Sequence, residues 1–404
     1  MNTERISKEG SPDTGGKCSV PDSYDQKFQR FRDVLAGKLP DRVPVLPNIE
    51  TWMFHHTGIG IREAFTENAD ALFEAFRLLN EELYLDGVLS ISNTFPLKMG
   101  SLFGNALYQV SDRGVQIVGS KGKTMEAEEY GALAADPLAF FANELAPRRF
   151  TELRGSLEEK VSILKQSFYA LGGFNRYNGG VIARIEKELG LPVLVKGTNY
   201  LSPDVVLDYL RDFAGVSRDV RRCPDAMFEA CEAIYEMIMD MFYDTCQPPD
   251  GRVIFSPLHL PTYLRPKDFE RLYLPFMKRY IKDMAIDRGY QLYFFMEGDW
   301  MPYLDLLQEL PEGAQLIGLF EGGDARQIKE RMRGRMIFMG GMPLSVLSMG
   351  TKEEAVDKAK ECLETLAPGG GYIFSTDKVL LSPNDARAEN LIAVCEYVHE
   401  NGKY

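Results

Sequence analysis

The chain has 404 residues, of which 45% are hydrophobic and 26% charged, and it carries a net charge of −13. That balance suits a globular protein with a sizeable core and excludes a polyanionic partner such as nucleic acid. No apolar run approaches the ~18 residues a bilayer span needs, and MNTERISKEGSPDTGGKCSVPDS lacks the apolar stretch of a secretion signal, so a cytoplasmic protein that engages no membrane is expected.

Residues 1–24 are polar and rich in Gly, Ser and Pro, which predicts a disordered tail ahead of a single domain over 25–404. Beyond it, short apolar runs rich in branched and aromatic residues alternate with helical periodicity. Eight runs read as strands buried on both faces: Val43–Leu46, Gly87–Ser92, Val193–Lys196, Arg252–Phe255, Leu292–Met296, Leu316–Phe320, Met336–Met339 and Tyr372–Ser375. Helices are predicted between them, among them Arg62–Leu85, Pro203–Phe213 with Ser202 as N-cap, Pro224–Cys246, Asp268–Arg288, Ala325–Arg333, Lys352–Leu366 and Ala386–His399. Residues 102–190 form the longest insertion, with a hairpin around Leu107–Lys123 and then helices. Eight such alternations predict an α/β fold of the (β/α)8 TIM-barrel type, with an N-terminal extension and an insertion after the second strand. An open doubly wound sheet would place a glycine-rich phosphate loop after its first strand, and VLPNIETW has no glycine.

In a barrel, chemistry collects where the strands end. The first strand leads to Asn48, Glu50 and Trp52, the second to Asn93, and the third to Asn199 and Tyr200. The fourth leads to His259, the fifth to Glu297 and Asp299, the sixth to Glu321 and Asp324, and the eighth to Asp377 and Lys378. One imidazole and three carboxylates, His259, Glu297, Glu321 and Asp377, are a fair donor set for Zn²⁺, with Glu297 and Asp377 as the catalytic candidates. Trp52, Asn93, Asn199 and Tyr200 offer aromatic and amide groups for a planar organic substrate. Blander roles compete at each position. An acid after a strand can cap the next helix, which suits Asp299 and Asp324 well. His259 between Leu258 and Leu260 can be a core histidine, and the aromatic residues can be barrel packing. The six cysteines form no C-x-x-C pair and read as small buried thiols.

Several stretches resemble the uroporphyrinogen decarboxylase superfamily, and within it the corrinoid-dependent methyltransferases. They are DRVPVLP, LVKGTNYLSPDVVLDYLRD, LRPKDFERLYLPFMKRYI, FFMEGDWMPYLDLL, FMGGMP and APGGGYIFSTDK followed by NDARAENLIA, across most of residues 26–404. The resemblance implies a (β/α)8 barrel. It also separates the activities within the superfamily. The decarboxylase motif M-R-Q-A-G-R, which binds substrate propionates, is PNIETWMFHHTGI here, and the aspartate of F-S-D gives way to Asn93. The thiol methyltransferases hold zinc through H-x-C and a later cysteine. Here Phe295 and Glu297 stand in the first motif, and Asp377 or Lys378 stands near the place of the second.

An oxygen-rich site suits polarisation of an ether oxygen, which is the task of the O-demethylase methyltransferases of that branch. The expected function is therefore transfer of a methyl group from a methoxylated aromatic to the Co(I) of a separate corrinoid protein, with a zinc-type Lewis acid at the leaving oxygen. A metal-free site with Glu297 as general acid is a variant of this reading. A methylcobamide:thiol methyltransferase, the decarboxylase itself and a non-catalytic corrinoid- or tetrapyrrole-binding barrel are the alternatives.

Overall fold

The computed structural model describes residues 22–66, 68–104, 108–117, 124–245 and 247–404. Six parallel strands form one sheet in sequential order: β3 (Val195–Thr198), β4 (Val253–Leu258), β5 (Gln291–Asp299), β6 (Leu316–Gly322), β7 (Ile337–Met342) and β8 (Tyr372–Thr376). A small antiparallel hairpin of β1 (Tyr108–Ser111) and β2 (Gly114–Ile117) precedes them, within the expected insertion. The insertion ends in the 32-residue helix Leu157–Glu188. Residues 1–21 of the expected tail lie outside the described residues, and by Tyr24 the chain is already helical.

The first two predicted strands form isolated bridges rather than ladders. Val45 pairs with Phe374, Val88 with Val193, and the two segments meet where Asp86 N donates to Val45 O. These bonds carry the ring from β8 back to β3, as a barrel requires. Pro44 and Pro47 explain the fragmentation of the first segment, because each removes a ladder donor. Ser92, at a left-handed φ of 62°, bends the end of the second. Helices break for similar local reasons. The predicted Arg62–Leu85 splits into Ile61–Thr66 and Ala69–Glu82, with the Asn68 side chain capping the second at Asp70 N and Ala71 N. Ser202 is not a cap but the first residue of its helix, and its hydroxyl is buried without a partner.

Two cores follow from the two-residue period of the strands. One set of side chains, including Phe294, Met296, Phe276 and Tyr280, packs between strands and helices. The other fills the barrel and includes Leu46, Leu89, Leu194, Tyr293, Leu319 and Ile373. The helix Tyr24–Leu35 sends Phe28, Phe31, Val34 and Leu35 into this second core. It is tied there by Arg30, which is 2% exposed. Arg30 bonds to Asp22, Asp41, Tyr84 and Asp86, while the other Asp86 oxygen accepts from Val45 N at 2.7 Å. One carboxylate thus joins the helix to both fragmented strands. Among the described residues no helix is long and apolar enough to cross a membrane.

Asp86→Ala strands part of a buried guanidinium and one backbone donor. We predict a loss of about 3 kcal/mol in urea unfolding, the low end for breaking a buried charge pair because two carboxylates remain. A loss below about 1 kcal/mol would contradict this role.

Candidate functional site

The strand period decides which of the acids enter the barrel. Tyr293 and Phe295 belong to the inner core, so Glu297 shares their side of β5. The same alternation puts Glu321 above Ile317 and Leu319 on β6, and Asp377 above Ile373 and Ser375 at the end of β8. Just past β8, Asp377 is half-buried and accepts from Leu344 N at 3.0 Å, whereas Lys378 is exposed. The acids that end strands five, six and eight therefore share one rim.

At His259, just past β4, the backbone is clamped by Asp204, a fully buried residue of the short helix Ser202–Val205 that follows β3. One Asp204 oxygen accepts from His259 N at 3.0 Å and from Leu260 N at 2.8 Å, and the other accepts from the Tyr273 hydroxyl at 2.6 Å. Burial dominates and pushes the Asp204 carboxyl up to about 7, against the pull of those donors. The His259 ring lies between two carboxylates, with Nδ1 2.8 Å from Asp208 and Nε2 3.2 Å from Glu297. Burial alone would lower its pKa, but the bonds to Asp208 and Glu297 outweigh it and raise the imidazole to about 11. His259 is thus an imidazolium at neutral pH, with its side chain 27% exposed.

Both acids are held by their backbones. Asp208 lies in the π-helical turn Val206–Arg211, a widening that recurs at functional sites. The Glu297 carbonyl accepts from Thr262 Oγ1 at 2.7 Å and Trp300 Nε1 at 2.9 Å. Next comes Gly298 at φ 73°, where an added Cβ would come within 2.6 Å of Thr262 Oγ1. Only glycine turns the chain there without strain. Gly298 N in turn donates to Glu321 at 3.0 Å, which links the ends of β5 and β6.

Aromatic hydroxyls flank Asp208. Tyr108 from the hairpin, Tyr209 beside Asp208 and Tyr200 after β3 interact in series through their phenol groups. Burial is the main cause that raises Tyr108 and Tyr200 to about 12, and the Asp208 charge adds to it. Phe95 stacks on Tyr108 with centroids 3.9 Å apart. On the other side of the rim, Glu321 and Asp377 line a cavity of about 530 Å³ with Arg326 and Gly341. Burial raises the Asp377 carboxyl, and neighbouring Glu321 adds to the effect although Leu344 N and Lys378 oppose it.

The other sequence candidates are not gathered at this mouth. Trp52 packs in the outer core, donates to Ala386 O at 3.1 Å and stacks on His56. Asn93 is buried and bonded to Phe65 O and Asn178. Asn199 accepts from Tyr200 N and points its amide nitrogen at Met239. Of the four proposed substrate contacts only Tyr200 stands beside the His259 group. The cap reading holds for Asp324, which accepts from Gln327 N, but not for Asp299, which ends β5 and accepts from Met301 N while Trp300 takes the cap position. Sequence reading missed Asp204 and Asp208, although their spacing of four within a predicted helix puts both on one face. Tyr209 and Tyr108 left no sequence signal, since a hairpin and a helix from distant segments bring them together.

The four expected zinc ligands meet in pairs. His259 touches Glu297, and Glu321 lies near Asp377, but among the described residues no three His, Cys, Asp or Glu side chains converge as a metal site. Both ring nitrogens of His259 face carboxylates. The four residues do not stand as one zinc-ligand set here, and the His259 group as it stands suits proton transfer.

Comparison with known proteins adds a family. Residues 174–401, a little over half of the chain, match the family model described as uroporphyrinogen decarboxylase (URO-D). No curated protein sequence matches. Among solved structures, a methyltransferase from Methanosarcina mazei superposes with a TM-score of 0.61 at 16% identity, over 93% of this chain and 98% of that one. At that identity the likeness is one of fold.

The raised pKa of His259 has a direct readout. Its contribution to stability is complete below the unfolded value of ~6.5 and is lost only as pH rises through about 11. We predict that its ring resonances do not titrate between pH 5 and 9 in NMR spectra, and that Asp208→Asn lowers the midpoint by at least ~1 unit. A wild-type midpoint near 6.5 would refute the paired-acid arrangement.

Proposed function

The chain belongs to the uroporphyrinogen decarboxylase family, and on that footing we propose that it is a methyltransferase which moves a methyl group from an aryl methyl ether to a corrinoid carried by a partner protein. The observation that carries this reading is the His259 imidazolium held between Asp208 and Glu297 at an open barrel mouth. The Co(I) acceptor supplies the electron pair of the new carbon–cobalt bond. The methyl–oxygen bond breaks, and its electron pair stays on the ether oxygen.

What this chain must supply is a proton for that oxygen. His259 Nε2 carries one at the mouth, and Glu297 and Asp208 orient the ring and hold its charge. A phenol titrates near ~10, so a donor at about 11 is closely matched to a phenolate leaving group. Partial exposure lets His259 recover its proton from water. The tyrosines beside Asp208 and the Phe95 ring provide a polar aromatic wall for the substrate.

The decarboxylase activity for which the family is named fits poorly. A substrate with many carboxylates would meet Glu297, Glu321 and Asp377, three acids at the rim, against His259, Arg326 and exposed Lys378. A thiol methyltransferase reading lacks, among the described residues, the cysteines at the mouth that would hold the metal activating the substrate thiol. Cys362, at the edge of the adjoining cavity, donates to Gly341 O, and burial is the main cause that raises its thiol to about 11. Zinc on His259, Glu297, Glu321 and Asp377 would require deprotonation of His259 and regrouping of the acids, so no step is assigned to it.

The test follows the loss of cob(I)alamin absorbance with 4-methoxyphenol as methyl donor. We expect turnover by the wild type, retained after exhaustive chelation, and a fall of at least ~100-fold in His259→Gln. Failure to methylate cob(I)alamin from any aryl methyl ether would overturn the proposal. One zinc per chain, lost together with activity in Glu297→Ala, would replace the proton donor by a Lewis acid.

A further inference from the structure

The end of the barrel opposite the mouth carries a separate cavity of about 350 Å³. Leu316 and Ile337, the first residues of β6 and β7, line it, together with Gly371 just ahead of β8. Its charge sets it apart. The chain has 46 basic and 59 acidic residues, yet this cavity is lined by Lys329, Arg333 and Arg335 and by no Asp or Glu among the described residues. Arg335 is offset, since it bonds to Leu310 O at 2.7 Å and to Glu312 at 3.0 Å.

The other two cations are not offset. Lys329, on the helix Ala325–Met332, is half-buried and donates to Pro368 O at 3.1 Å, which leaves two of its three N–H groups. Burial, and then the charge of Arg333, lower the Lys329 ammonium, with no carboxylate acting against them. Cations at the end of a helix commonly complement its dipole. That role needs neither a cavity nor the loop of three glycines on its wall. Gly369, Gly370 and Gly371 have φ of 80°, 72° and 62°, a left-handed run that only glycine sustains. An added Cβ at Gly369 would come within 3.8 Å of Arg333 Nη2, so bare backbone stands beside the guanidinium. These are the glycines of APGGGYIF, which take no part at the mouth. Val34, Leu35 and Met336 supply an apolar side to the same cavity.

From this arrangement we infer a second binding site, for a dianionic phosphate group held by Lys329 and Arg333 beside the glycine loop. Two adjacent cations repel each other, and a dianion between them replaces that repulsion with charge-assisted bonds. The guanidinium fork matches two phosphate oxygens, and the ammonium adds a point charge. Glycine lets a phosphate approach the backbone closely. The volume lies in the range of small-molecule sites, and the apolar side has room for an organic body, so a phosphate monoester is expected ahead of free phosphate. This site stands independently of the methyl transfer proposed at the mouth.

The test is calorimetric titration of the full chain with phenyl phosphate and with inorganic phosphate, at constant ionic strength in sodium chloride and about pH 8, where both probes are largely dianionic. We expect phenyl phosphate to bind, and Arg333→Gln and Lys329→Gln each to weaken it at least ~10-fold. Lys267→Gln, an exposed cation outside the cavity, should leave binding unchanged. Arg333 is exposed, so its variant should melt with the wild type and keep the test valid even if Lys329→Gln, which gives up the bond to Pro368, is less stable. Phenyl phosphate binding at least ~5-fold tighter than inorganic phosphate would sustain the site and assign it to an ester. Equal affinities, both lost in Arg333→Gln, would sustain the site and assign it to free phosphate. No binding of either probe, or binding that ignores both cavity substitutions, would overturn the inference.

Discussion

The charge on His259 is the constraint around which the barrel mouth is organised. An imidazolium between two carboxylates forms only if three backbones are held in register, because each bond spans two elements. Asp204 holds the first, by accepting from the two amides at His259 and Leu260. The π-turn holds the second, because its extra residue shifts Asp208 relative to Asp204. The third depends on Gly298, whose left-handed turn ends β5 and leaves the Glu297 carbonyl to Thr262 and Trp300. Buried Asp204 and its Tyr273 partner contribute no chemistry in this scheme, yet they place the group that does.

Electrostatics underlies the proposed departure from the activity in the family's name. The period of the strands carries columns of side chains up the inside of the barrel, and several of them end in an acid at the mouth. Tyr293, Phe295 and Glu297 on β5 are such a column, and Ile373, Ser375 and Asp377 on β8 are another. Acids at the top of several columns make an anionic ring, partly offset by His259. In the proposed reaction such a ring favours a neutral substrate over a polycarboxylate that needs cations.

Much of this was legible in the chain. Six of eight strands were read within a few residues, because strands buried on both faces are short, apolar and bounded by glycine or acid. The two misread ones, 43–46 and 87–92, have the right composition, but prolines and a left-handed serine break their ladders. Glu297, Glu321 and Asp377 were found at strand ends because an acid directly after an apolar strand stands out. Trp52 and Asn93 were misplaced for the same reason: nearness to a strand end does not say to which side the side chain turns.

The sequence alone determined the family, the barrel and the list of acids at its rim, since these depend on local periodicity and on residues adjacent in the chain. It also showed that the segment after the first strand carries no arginine. Only the tertiary structure decided which groups meet. Asp208 and His259 are 51 residues apart, and His259 and Glu297 are neighbours only because adjacent parallel strands end together. The packing at the end of β8 left Asp377 half-buried and Lys378 exposed, and the barrel interior left the Tyr293 and Ser375 hydroxyls without partners. Protonation of His259 is likewise a tertiary property, because it is the sum of burial and two carboxylates from distant segments.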